Sequence, residues 1–96
     1  LSPFQAVERV FAFIVDETVE AGKLIRAAKG AEKNLISDVV LFDIYTGKGV
    51  EEGKKSLAIT VTLQPKDKTL TDEEIEAVSQ KVLAQAMKAT GATLRS

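Results

Sequence analysis

The 96-residue sequence predicts an α+β fold of element order βαββαβ, with four antiparallel strands and two helices packed on one face of the sheet. Three observations carry that prediction. "RVFAFIV", residues 9 to 15, is β-branched and aromatic almost throughout, the composition of a covered strand. "KSLAITVTLQ", residues 55 to 64, places Leu57, Ile59, Val61 and Leu63 on one side of a period of two. "LTDEEI", residues 70 to 75, has the chemistry of a helix start.

Each element can be justified in chain order. In the first strand Phe11 and Phe13 share a face, and their large apolar area assigns them to the core, leaving Val10, Ala12 and Ile14 opposite. "TVEAGKLIRAAKG", residues 18 to 30, sets Val19, Leu24, Ile25 and Ala28 at helical spacing. Lys29 falls in its last turn, and Gly30 stands where a left-handed C-terminal cap is expected. "LISDVVLFDIY", residues 35 to 45, returns to strand composition. It forms a long hairpin with the alternating strand at residues 55 to 63.

In the second helix Thr71 is the expected N-cap, Glu74 completes a capping box, and Leu70 and Ile75 form a hydrophobic staple. Ile75, Val78, Val82 and Ala86 continue its apolar stripe until Gly91 ends it. "ATLR", residues 92 to 95, is long enough for a brief last strand. This order is the ferredoxin-like, split βαβ arrangement. Right-handed crossovers put both helices on one face, so the other stays open. On the third strand Ser56, Ala58, Thr60 and Thr62 fall on that open side.

Composition narrows the function. One domain of this size closes a single modest core. With no cysteine and no histidine, disulfides, thiolate chemistry, imidazole acid-base work and the usual zinc sites are excluded. No apolar run has the roughly 18 residues a membrane span requires, and no signal-peptide pattern opens the chain, so a cytoplasmic setting is expected. The first residue is Leu1 rather than methionine, which suggests a single-domain fragment, residues 1 to 96, of a longer chain. A net charge of -1 argues against strong free-standing nucleic-acid binding while allowing a module that adds a few local contacts.

Two motifs come close to known signatures and miss. "TGKGVEEGKKS", residues 46 to 56, resembles a nucleotide-phosphate loop, but Gly47 and Gly53 are spaced one residue too far apart, Ser56 arrives one position late, and a strand follows instead of a helix. It reads as a glycine-rich hairpin connection. "RVFAFI" resembles an RNA-recognition signature whose aromatics stack on bases, yet valine replaces its glycine and it lies on the first strand rather than the third. The carboxylates Glu51, Glu52, Asp72, Glu73 and Glu74 have ordinary loop and helix-start roles. Asp43, between Phe42 and Ile44 near a strand end, admits two readings: a hairpin-end residue bonded to backbone, or a polar reader beside the open face.

The run "LFDIYTGKGVEEGKKSLAITVTLQPKDKTLTDEEI", with its helix and the closing "GATLR", resembles the ferredoxin-fold anticodon-binding domains at the C-terminus of bacterial phenylalanine-tRNA ligase β subunits. The likeness runs from "SPFQAV" to "LR". It implies a non-catalytic module that contacts the anticodon stem-loop of phenylalanine tRNA through its open sheet face. Its implied partners are the remaining β-subunit domains and the catalytic α subunit. No cofactor is implied in this domain, and ATP and magnesium would act elsewhere in the parent enzyme. By the same resemblance, Asp43 and Ser56 are expected to read anticodon bases, and Ala12 to be a small surface against which a base lies. Lys48, Lys54, Lys55, Arg9 and Arg95 are expected at backbone phosphates. Glu8, Val10 and Val40 depart from the family pattern, which usually opens its first strand V-R-R-D and often has a basic residue at the position of Val40. The alternative on this fold is a regulatory or dimerisation domain without RNA binding.

Overall fold

The computed structural model describes residues 4–95. The first two residues of the "SPFQAV" stretch lie outside that range. Six elements follow the expected order: β1 Val7–Asp16, α1 Ala21–Lys29, β2 Ile36–Tyr45, β3 Lys54–Leu63, α2 Asp72–Thr90 and β4 Thr93–Leu94. They build one antiparallel sheet of strand order β2-β3-β1-β4, the ferredoxin-like α+β topology.

The core lies between the sheet and both helices. β3 sends Leu57, Ile59, Val61 and Leu63 into it, β1 sends Phe11, Phe13 and Val15, and the helices meet them with Leu24, Ala28, Ile75, Val78, Val82 and Ala86. Burying a side chain of the size of Leu57 or Ile59 is worth about 1.5–3 kcal/mol. Phe11 and Phe13 stack on each other at 5.9 Å between ring centroids and are buried, so the core reading of these aromatics holds and base stacking on them does not.

The α2 start forms as its sequence dictates. Glu74 N–H donates to Thr71 Oγ1 at 3.2 Å, and Thr71 N–H donates to Glu74 Oε1 at 3.0 Å, so each residue satisfies an orphan donor. Leu70 and Ile75 are both buried. Gly91 closes the helix in the left-handed region, φ 74°, its N–H bonded to the Met87 carbonyl.

α1 ends differently from the expectation. Gly30 is right-handed, φ -79° and ψ -7°, and its N–H continues the helical ladder to the Arg26 carbonyl. The chain then tightens, with Ala31 N–H reaching Ala28 O at 3.2 Å, so no left-handed cap is formed. A Cβ there would stand 3.4 Å from the Arg26 carbonyl oxygen, which is ordinary van der Waals contact, so neither backbone angle nor packing calls for glycine at this position. Val19 precedes α1 and packs against the core from the connection.

Candidate nucleic-acid interface

No helix covers the second face of the sheet, and the strand register lays its residues out in rows. Asp43 of β2 lies opposite Ala58 of β3, which lies opposite Ala12 of β1. The Arg95 N–H donates to the Ala12 carbonyl at 2.7 Å and extends that row past β4. The next row toward the hairpin joins Tyr45, Ser56, Ile14 and Thr93. Toward the other end come Val40, Thr60 and Val10, then Asp38, Thr62 and Glu8.

Asp43 reaches this face because β2 breaks its own alternation. Val39 and Leu41 point with Val61 and Ile59 toward the helices, and an unbroken period of two would send Asp43 the same way. The register shifts between Leu41 and Asp43, leaving Phe42 as the extra residue of a β-bulge. Beyond it the phase is reversed, and Asp43 and Tyr45 face away from the helices. Asp43 is exposed, and no side-chain hydrogen bond or ion pair among the described residues engages its carboxylate. The hairpin-end reading, in which that carboxylate binds backbone, is therefore not what forms.

The row has a distinct shape. Two neighbouring alanines floor it, and with strands about 4.8 Å apart the gap between Asp43 and Arg95 spans three strand spacings. A flat ring fits against methyl groups where a larger side chain would hold it off. At one edge of the floor stands the acceptor-only carboxylate of Asp43; the Arg95 backbone stands at the other edge, and its side chain reaches back across the face to the Tyr45 ring at the hairpin end.

The face carries acids at its far end and both signs of charge at the hairpin end, where Asp16 and Glu51 lie near Lys54. Glu8 and Asp38 flank Thr62 at the far end, whereas Lys48, Lys54 and Arg95 gather at the hairpin end. Lys54 Nζ lies 2.6 Å from Asp16 Oδ1 across the β1/β3 pair, and that hydrogen bond raises the amine above its ordinary range. Lys48 is exposed in the hairpin loop, and its carbonyl accepts a bond from the Tyr45 hydroxyl at 2.8 Å. The loop is built from turns between Gly47 O and Val50 N and between Glu51 O and Lys54 N, with Gly47, Gly49 and Gly53 at positive φ. It leads straight into β3, so it is a hairpin connection and not a nucleotide-phosphate loop.

Two expected phosphate contacts are not brought to this face. Lys55 pairs with Val15 and shares the phase of Leu57, and Arg9 pairs with Val61 and shares that of Phe11. Both share the helix-side phase, and Arg9 lines a cleft at the β1 edge together with Glu76 and Ser79 of α2 and with Ala12 and Arg95. Ser56 does belong to the open face, but Arg95 and Tyr45 cover it. Tyr45 and Ala58 were not singled out from the sequence. Ala58 was assigned to the open side by alternation, and only the bulge reveals that Tyr45 joins it.

Among the described residues no helix is long and apolar enough to cross a membrane, and no group of three His, Cys, Asp or Glu side chains is placed to hold a metal. Fold and face together define a ferredoxin-like α+β domain with one side of its sheet left uncovered by helices. The family model described as "Ferredoxin-fold anticodon binding domain" matches residues 2–95, and the chain belongs to that family. Among curated relatives it is similar to the phenylalanine–tRNA ligase beta subunit of Bradyrhizobium diazoefficiens, 62% identical over 96 residues. It is also similar to those of Rhodospirillum rubrum, 57% over 96, and Rhodopseudomonas palustris, 56% over 95. The matches cover 99% or more of this chain but only 12% of the length of each relative.

Proposed function

We propose that this domain contacts the anticodon region of phenylalanine tRNA through its open sheet face, as a non-catalytic part of an ATP-dependent phenylalanine-tRNA ligase working in the cytoplasm. The observation that carries the reading is the Asp43 carboxylate, exposed and unengaged beside the floor made by Ala58 and Ala12. Unpaired RNA bases are read at their hydrogen-bonding edges, and a carboxylate accepts two bonds from the Watson-Crick edge of guanine. A base lying on the alanines would present that edge to Asp43.

Phosphates are assigned to the hairpin end, to Lys48, Lys54 and Arg95. The far end carries Glu8 and Asp38, which repel them, and Val40 and Val10, which offer them nothing. Arg9 and Lys55 stand outside this set because of their helix-side phase. With a net charge of -1 the domain supplies orientation and base contact while the rest of the enzyme, the other β-subunit domains and the catalytic α subunit, supplies most of the affinity.

The test is aminoacylation by the intact ligase. Asp43→Ala is expected to lower kcat/KM for tRNA by about tenfold or more, the scale of a lost hydrogen bond to a charged group. Ser56→Ala is expected to lower it less, and Lys29→Ala, on α1, not at all. Equal kcat/KM for wild type and Asp43→Ala would contradict the assignment.

A further inference from the structure

Ser56 is on the uncovered face by register, opposite Ile14 and Tyr45, yet it is only 3% exposed. Its cover is Arg95. The Nη1 of Arg95 lies 3.4 Å from Ser56 Oγ, and its guanidinium carbon lies 5.3 Å from the centroid of the Tyr45 ring. A Cβ placed on Gly49 would come within 3.6 Å of Nη2, so the hairpin loop closes the third side. One side chain thereby bridges the end of the β2/β3 hairpin and the last strand across the open face.

We infer that Arg95 is a gate over Ser56, closed in the free domain and opened when a nucleotide phosphate draws the guanidinium off the Tyr45 ring; this rests on the reading of the open face as an RNA contact. The closed contacts are weak enough to yield. A donor-acceptor distance of 3.4 Å is well beyond the usual 2.9–3.0 Å of an N–H···O bond. Tyr45 is partly exposed, and a guanidinium on such a ring shifts an equilibrium by about two- to fivefold. Among the described residues no carboxylate forms an ion pair with Arg95.

A phosphate offers what the closed state lacks, a charged partner of matching bidentate geometry. The hinge is fixed, because the Arg95 N–H is bonded to the Ala12 carbonyl at 2.7 Å, so the side chain swings while the backbone stays. Opening uncovers the Ser56 hydroxyl and the Tyr45 ring face in one event. Phosphate capture and access to the second row of the face are therefore coupled, and a ligand without a phosphate meets the closed gate, with affinity reduced by the same two- to fivefold factor.

The experiment follows the Arg95 side-chain protons by NMR in the 96-residue chain. In the free domain they are expected upfield, shielded by the Tyr45 ring, and Tyr45→Leu should abolish that shielding while core amides such as Ile59 keep their positions. Titration with the anticodon stem-loop of phenylalanine tRNA should remove the shielding in step with shifts at Asp43 and Ser56. Shielding that persists while Asp43 responds overturns the gate and leaves RNA binding standing. Arg95 protons that are the same in wild type and Tyr45→Leu also overturn it. No response anywhere on the open face at millimolar RNA overturns the RNA reading, and the gate with it.

Discussion

β3 and β2 are neighbouring strands of ten residues each, and they present their side chains in different ways. β3 is paired on both edges and keeps strict alternation, so its odd residues from Leu57 to Leu63 fill the core and its even residues line the open face. β2 lies at the sheet edge and is bulged twice, at Ser37 and at Phe42. An edge strand has only one ladder to disturb, which is why bulges collect there. The inner strand holds the fold together, and the edge strand is free to re-aim side chains. The second bulge turns that freedom toward Asp43.

The largest expected effect separates the two strands directly. Leu57 and Ile44 are cross-strand partners on the helix side, but Leu57 is fully buried and Ile44 is mostly exposed because the helices do not reach it. Leu57→Ala is expected to cost about 2–5 kcal/mol by urea unfolding. Ile44→Ala should stay within about 0.5 kcal/mol. Similar losses from both would mean that β2 is as firmly packed at this end as β3.

Removing the irregularity is the next test. Deletion of Phe42, an exposed residue, gives β2 the regular ladder of β3. Asp43 should remain opposite Ala58, detected as a cross-strand nuclear Overhauser effect, with a stability change of about 1 kcal/mol or less. Loss of that contact would contradict the assignment of Phe42 as the extra residue of the ladder.

The smallest expected effect lies at the hairpin end, where β3 has an ion pair to β1. Asp16 raises Lys54 above its ordinary value of 10.5. A raised folded value means that the contribution is fully present below that ordinary value and is lost as pH rises through the raised one. Both side chains are exposed, so the effect is small. Urea midpoints of wild type and Asp16→Asn should differ slightly at neutral pH and converge in the alkaline range. A gap that widens with pH would contradict the sign.

The same contrast explains what could be read from the residues alone. α2 was legible at both ends because its signals are local: Thr71 and Glu74 bond to each other, and Gly91 turns the chain itself. β3 was legible because burial fixes an inner strand to a period of two. Gly30 misled because a glycine after a helix usually signals a left-handed cap, whereas here it stays right-handed and its N–H continues the helical ladder to the Arg26 carbonyl. The side of the sheet taken by Asp43 was hidden, since "VVLFDIY" has no mark that Phe42 is the extra residue and only the ladder to β3 reveals it. The covering of Ser56 was hidden for a different reason, as it depends on Arg95, 39 residues away along the chain. Ala12, Asp43, Ser56 and Arg95 do meet on one surface, while Arg9 and Lys55 fall in the opposite phase.

The central claim is that the edge-strand bulge delivers Asp43 to a face that RNA contacts. Its most direct test is backbone amide NMR of the chain titrated with the anticodon stem-loop of phenylalanine tRNA. Shifts should concentrate at Ala12, Asp43, Ala58 and the hairpin loop, and be absent from Arg26, Lys29 and the rest of α1. Shifts confined to the helix side, or none near Asp43 at millimolar RNA, would contradict the claim.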